Sequence, residues 1–140
     1  MKIAILSDTH LGYARFDRDS LDQAERAISD ASSKADIIIH AGDIFDIKIP
    51  KLETIDRAIG IFKKANIPVY AIHGNHERRS KDLVNPAKLL ETGELIIYLH
   101  GTEKIIEKDG ETVQLFGLGN IPEDLADIAL KKALEGFKPR

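Results

Sequence analysis

Lys2-Ile3-Ala4-Ile5-Leu6-Ser7-Asp8-Thr9-His10 opens the chain with a short apolar run that ends in a carboxylate and an imidazole. The arrangement returns twice, about 30 residues apart each time: Ile37-Ile38-Ile39 leads through His40-Ala41 to Gly42-Asp43-Ile44-Phe45-Asp46, and Ile67 to Ile72 leads to Gly74-Asn75-His76-Glu77. Runs this short, rich in isoleucine and valine, read as buried strands of a mostly parallel sheet, Ile3 to Leu6, Ile37 to Ile39 and Ile67 to Ile72. In open α/β sheets ligands gather beyond the carboxyl ends of such strands. Three segments would then deliver carboxylates, imidazoles and a carboxamide to one edge, a donor set suited to divalent cations.

The rest of the chain supplies the helices of an α/β fold. Ser20 with Gln23 predicts a capping box, and Leu21, Ala24, Ala27, Ile28 and Ala31 follow at helical spacing, so a first helix is expected over Ser20 to Lys34. Pro50 suits the first position of a second helix with the stripe Leu52, Ile55, Ile59 and Phe62, widened by Ala58 and Ile61. That width offers either more core or a surface for a partner. A short helix is expected near Pro86 to Glu91, then strands over Leu95 to Leu99, Lys104 to Glu107 and Thr112 to Phe116, the last two joined by an Asp109-Gly110 turn. A final helix should run from Pro122 to about Glu135, with Gly136 able to stop it. Gly136 to Arg140 reads as a loop entering another strand, so the chain is expected to be truncated at its carboxyl end.

With 140 residues, one domain spanning 1–140 is expected. The net charge of −3 lacks the overall basic footprint of a dedicated nucleic-acid-binding domain, so a nucleic acid would be met by local patches or metal ions. The chain has no cysteine, which removes disulfides and thiolate metal sites. No run approaches the ~18 apolar residues of a membrane span, and the first residues enter a strand rather than a signal-peptide core. The expectation is no membrane association and a cytoplasmic, intracellular location, nucleoid-associated in a prokaryote.

In the centre these residues suggest, Asp43 would bridge two ions. Asp8 and His10 would hold one, Asn75 the other, and His76 would stay free to protonate a leaving oxygen or clamp a phosphate. Two divalent ions can grip the attacking and leaving oxygens of a phosphodiester, so no covalent enzyme intermediate is required. Asp46 could orient His10 or another imidazole, or simply form a turn. His40 and His73, beside apolar strands, suit buried hydrogen-bonded or supporting roles. Tyr13, Arg15, Phe16 and Arg18 lie in the loop after the first motif, and Arg78, Arg79 and Lys81 form the densest basic stretch, directly after the third. Each could contact a phosphate backbone or stay solvated.

The motifs resemble the calcineurin-like metallophosphoesterase superfamily, and Asp8-Thr9-His10-Leu11-Gly12-Tyr13, His40-Ala41-Gly42-Asp43-Ile44-Phe45-Asp46 and Gly74-Asn75-His76-Glu77 most resemble its SbcD / Mre-eleven nuclease branch. The resemblance runs through Leu89-Leu90-Glu91 to Tyr98 and Phe116-Gly117-Leu118-Gly119. It implies a two-sheet sandwich flanked by helices in four layers, α, β, β, α, with two divalent ions, Mn2+ foremost. It also implies 3′ to 5′ exonuclease and single-strand endonuclease action on DNA ends in double-strand-break repair, and a coiled-coil ATPase partner of the SbcC or Rad type. Homodimerisation is implied through helices near 50–65 and 86–92. The family completes its centre with a later histidine and a Gly-His-x-His motif; no histidine follows Phe116 here, so the second site is expected to be incomplete and activity partial. Two other readings stand beside the nuclease: a small-molecule phosphodiesterase, suited to the acidic charge, and a non-catalytic dimeric scaffold.

Overall fold

In the computed structural model, which describes residues 1–137, four parallel strands form one sheet in the order β1 (Ile3–Leu6), β2 (Ile37–His40), β3 (Val69–Ala71) and β4 (Ile97–Tyr98). Register decides where the motifs fall. Leu6 lies opposite His40, His40 opposite Ala71 and Ala71 opposite Tyr98, so all four strands stop on one line. The segments carrying Asp8, Asp43 and Gly74 therefore leave the sheet at a single edge.

Helices α1 (Asp17–Lys34), α2 (Leu52–Lys63) and α3 (Pro86–Thr92) build the main core. Leu21, Ala24 and Ile28 of α1, Ala58, Ile61 and Phe62 of α2 and Ala87 and Leu90 of α3 pack with Ile38, Val69 and Ala71 of the sheet. The opposite sheet face, Ile37, Tyr70 and Leu99, meets Ile106 and Leu115 of an antiparallel hairpin, β5 (Thr102–Lys108) and β6 (Glu111–Gly117). Asp109 and Gly110 both take positive φ, 52° and 77°, as a two-residue turn between twisted strands requires. Helix α4 (Glu123–Gly136) follows the hairpin, across a cleft lined by Phe116 and Ala129. The result is the expected mixed α/β fold.

Several boundaries differ from the sequence expectation. α1 begins at Asp17, not Ser20, because successive turns (Tyr13 N–H to the His10 carbonyl, Phe16 N–H to that of Tyr13) carry the loop straight into it. No capping box forms: Phe16 occupies the cap, Ser20 donates its hydroxyl to the Asp17 carbonyl one turn inside, and Asp17 and Asp19 favour the helix start electrostatically. α2 begins at Leu52 after Lys51, two residues beyond Pro50. Leu52 is 80% exposed, and Thr54 takes the buried place in the first turn. β4 is only Ile97–Tyr98 because Glu94 turns at φ 58° and the Leu95 N–H returns to the Leu90 carbonyl, closing α3. Gly136 ends α4, with Phe137 as its cap. The expected passage into a further strand involves residues 138–140, which lie outside the described residues.

Candidate metal centre

Three backbone turns at the sheet edge carry the candidate ligands, and the first two are bent where an ordinary residue resists bending. Asp8, His10 and Asp43 have φ of 55°, 43° and 53°, a conformation non-glycine residues rarely adopt and one that persists only where the surroundings enforce it. Here the enforcement is a ladder between the first two motifs. The Asp8 N–H donates to the Gly42 carbonyl, His10 to Asp43 and Leu11 to Ile44, at 3.1, 3.0 and 2.8 Å. Between Asp8 and His10, the Thr9 hydroxyl donates to the Ile44 carbonyl at 3.0 Å. With its proton so committed, Thr9 accepts from His40 Nε2 at 3.1 Å. Burial drives the His40 pKa down to about 4, partly opposed by Asp8 and Asp43, so the ring is neutral with its proton on Nε2. Its Nδ1 is buried without a partner among the described residues.

The second and third motifs are locked through glycine. A β-carbon on Gly74 would stand 2.0 Å from Asp43 Oδ1, so only glycine lets the third turn approach that carboxylate. Asp43 Oδ1 accepts the His76 N–H at 2.9 Å. Glu77, fully buried, spans the same junction: one carboxyl oxygen accepts from Phe45 N–H at 3.0 Å, the other from Gly74 N–H at 2.9 Å. Burial pushes the Glu77 pKa up to about 7, and those two donors oppose the rise.

Ligand atoms of His10, Asp43 and His76 lie within 4.8 Å of one another. Asp46 sets both imidazoles. Its carboxylate accepts from His10 Nδ1 at 3.1 Å and its carbonyl from His76 Nδ1 at 2.5 Å, which leaves each Nε2 lone pair available. Asp8 stands 3.6 Å from His10 Nε2, its carboxylate exposed and hydrogen-bonded by Ser7. Asn75 is exposed between Gly74 and His76. The buried Asp43 carboxylate beside His10, whose Nδ1 proton Asp46 holds away from Nε2, supplies oxygen and nitrogen donors that fit a divalent cation, with His76 within reach of both.

The remaining candidates separate. Arg78, Arg79 and Lys81 line a cleft of about 900 Å³ beside the third motif, while Tyr13 and Arg15 do not and instead pack on Phe16. His73 is buried and stacked near Tyr98, and burial lowers its pKa. Its Nε2 donates to the Asn120 carbonyl at 3.1 Å, so its Nδ1 accepts the Tyr98 hydroxyl at 2.6 Å. His100 takes no part in the cluster; its Nδ1 accepts the Gly119 N–H at 3.1 Å. Sequence reasoning assigned no role to Glu77, Thr9 or the Tyr98 and Asn120 partners of His73. For Glu77 a signal existed, a carboxylate three residues after a glycine in an otherwise sealed turn. For the others none did, since their partners are 25 to 47 residues away in the chain.

This fold and donor set make the chain a phosphoesterase by class. It belongs to the calcineurin-like phosphoesterase family, whose profile matches residues 1–135. Members of that family are hydrolases that bind divalent metals. The chain is 34% identical to the DNA double-strand break repair protein Mre11 of Sulfurisphaera tokodaii and 32% identical to that of Archaeoglobus fulgidus, covering 99% and 86% of this chain. It spans 38% and 29% of those two proteins. Among solved structures it is similar to TT1561 of Thermus thermophilus, with a TM-score of 0.58, 16% identity and coverage of 95% of this chain and 61% of that one, a likeness of fold.

Proposed function

We propose that this chain forms part of a metal-dependent nuclease acting on DNA ends in double-strand-break repair inside the cell. The observation that carries the reading is the convergence of His10, Asp43 and His76 at the carboxyl edge of a parallel sheet, in a family of phosphoesterases whose relatives are named for break repair. Asp43 is assigned as the bridging ligand, Asp8 and His10 as ligands of one ion and Asn75 of a second, with manganese the expected metal. Bound divalent ions would supply Lewis-acid stabilisation of the charge that develops on phosphoryl oxygens.

The chain's own groups do the rest. Asp46 fixes the tautomer and direction of both imidazoles. His76 donates its Nδ1 proton to the Asp46 carbonyl, so in its imidazolium form it would give the Nε2 proton to the leaving oxygen and remain as neutral imidazole. Arg78, Arg79 and Lys81 would bind backbone phosphates beyond the scissile bond, with Tyr13 and Arg15 further candidates on the first loop. Partnership with a coiled-coil ATPase follows from the resemblance alone. Homodimerisation through α2 and α3 draws support from exposed Ile47, Ile49 and Leu52 near one helix and Leu83, Val84 and Leu89 near the other.

Manganese titration by calorimetry tests the centre. Removing a residue that merely orients a ligand costs about 10–100-fold in metal affinity, so Asp43→Ala should cost more than about 100-fold. An Asp43→Ala protein that binds manganese as the parent does would remove the reading. Metal-stimulated cleavage of an end-labelled duplex, absent in Asp43→Ala and reduced in His76→Ala, would establish the nuclease.

A further inference from the structure

The turn that carries Asn75 and His76 is supported on two sides. Toward the second motif it is held by Asp43 and Glu77. On the other side stands Asn120, in the segment between β6 and α4, and it bonds both flanks of the turn from 42 and 47 residues away in the chain. Its N–H donates to the His73 carbonyl at 3.0 Å, its carbonyl accepts from His73 Nε2 at 3.1 Å and its carboxamide oxygen accepts from Arg78 at 3.0 Å. His73 and Arg78 are the residues immediately before and after Gly74-Asn75-His76-Glu77. Asn75 and His76 are exposed, so the backbone of the turn, more than side-chain packing, decides where their donor atoms stand.

The His73 ring is the centre of this support, and the direction of each hydrogen bond around it is set from outside. Asn85, the cap of α3, accepts the Lys88 N–H on Oδ1 at 2.9 Å, so its Nδ2 faces Tyr98 and donates to the hydroxyl at 3.1 Å. The Tyr98 proton is thereby left for His73 Nδ1, at 2.6 Å. At the other end a carbonyl can only accept, so Asn120 requires the His73 proton on Nε2. A helix N–H at one end and a carbonyl at the other thus select one tautomer of a ring that is buried. Close approach completes the fit. A β-carbon on Gly119 would stand 2.2 Å from Cε1 and Nδ1 of the ring, so only glycine lets the segment before Asn120 lie against it.

We infer that His73 is a positioning residue for the third ligand turn, holding Asn75 and His76 in place through its bonds to Asn120 and Tyr98. The inference rests on the metal-centre reading above for what the turn holds, and adds what holds the turn. The first test needs no metal. In EDTA, amide exchange at Gly74 and His76, whose N–H groups bond Glu77 and Asp43, is followed by NMR against Ile38 and Ile39 of the neighbouring strand. His73→Leu should speed the two turn amides about tenfold relative to the strand amides, the effect of about one net hydrogen bond. Gly119→Ala, which forces the segment off an unaltered ring, should do the same. His73→Gln, whose amide can donate to the Asn120 carbonyl, should restore most of the protection. Tyr98→Phe should repeat the His73→Leu pattern at smaller size, and carries the test if His73→Leu does not fold.

Manganese titration by calorimetry then reads the consequence. His73→Leu and Gly119→Ala should weaken binding about 10–100-fold, the range for removing a group that orients a ligand, and His73→Gln should stay within about threefold of the parent. Val69→Ala, a buried position at the amino end of β3, controls for lost stability and should leave manganese affinity unchanged. Turn amides no faster than the strand amides in both His73→Leu and Gly119→Ala would overturn the inference, as would parental manganese affinity in both. So would His73→Gln behaving as His73→Leu does, or Val69→Ala weakening manganese as much as either. A parent that binds no manganese would instead remove the metal-centre reading, while the exchange in EDTA would still decide whether His73 holds the turn.

Discussion

The two faces of the parallel sheet are covered to very different depths. On one, α1, α2 and α3 bury a continuous apolar cluster in which Ile28, Ile38, Ala58, Ala87 and Leu90 are at most 1% exposed. On the other, the hairpin buries Ile37, Tyr70 and Leu99 but leaves Ile5 of β1 71% exposed, and Leu125, Ile128, Leu130 and Leu134 of α4 are all exposed. The metal-site turns are anchored chiefly to the deeply covered side: Leu11, Ile44 and Phe45, which follow the ligands, belong to that cluster. Stability and site geometry should therefore depend on the helical face, while the hairpin face changes at little cost.

Leu90→Ala is the strongest way to break that contrast. A fully buried leucine truncated to alanine costs about 2–5 kcal/mol, and chemical denaturation should show a loss in that range. A smaller loss would mean that the helical face is looser than its burial indicates.

His40 sharpens the comparison through pH. Its pKa in the folded protein is about 4, against an ordinary value of 6.5. Because the folded value is depressed, the unfolded chain binds the proton first: the stability His40 confers is complete above about 6.5, declines as pH falls and is gone below about 4. That swing is roughly 3 kcal/mol. Glu77, its pKa raised to about 7, gains stability as pH falls over the same window and offsets this loss in the parent. The test is therefore a difference: His40→Gln should gain stability relative to the parent as pH falls from 7 to 4 in denaturation, and a constant difference would place the acid sensitivity elsewhere.

Glu77→Gln follows, with an expected loss of about 1–3 kcal/mol. Both carboxyl oxygens accept backbone N–H groups, so an amide must face one of them with its own donor. Since those groups belong to Phe45 and Gly74, the variant should also weaken manganese binding by displacing Asp43 and His76. Intact metal affinity beside lost stability would show that Glu77 supports the fold without setting the centre.

The same contrast governs what could be read from the sequence. The deeply covered side was legible in β2 and β3, whose apolar runs are buried, and a residue such as Asp43 beside Gly42 stands out where the run stops. The run of β1 misled on burial, for Ile3 and Ile5 on its thinly covered face are 38% and 71% exposed. Helix starts were less legible. Ser20 carries a capping signature, but turns from His10 onward began α1 at Asp17, and no local pattern encodes where such a loop ends. Leu52 fitted the apolar period yet lies ahead of the core, so period alone did not report burial. The site's donors were legible as residue types beyond strands. Their supports were not, because Thr9 with His40, and Tyr98 and Asn120 with His73, meet only after folding.

The smallest effects belong to the hairpin face. Leu134→Ala, at a position 53% exposed, should change stability by no more than about 0.5 kcal/mol, the usual range for surface substitutions. Beside the apolar contact of Ile106 and Leu115, the hairpin is tied to the sheet by a polar link. Asp36, just before β2, accepts from the Lys2 N–H at 2.6 Å and from Lys108 at the hairpin tip, and these bonds hold its pKa below the ordinary carboxylate value, Lys108 foremost. A depressed carboxylate confers stability above its unfolded pKa and loses it as pH falls through the folded value. Acidification below the ordinary carboxylate range should then release the Lys108 end, as should Lys108→Ala at neutral pH. Amide exchange would report either as faster exchange across Thr102 to Gly117, with Ile37 to His40 unaffected. Equal acceleration in both sheets would mean that the hairpin and the parallel sheet open together, and the two faces would differ in burial but not in cooperativity.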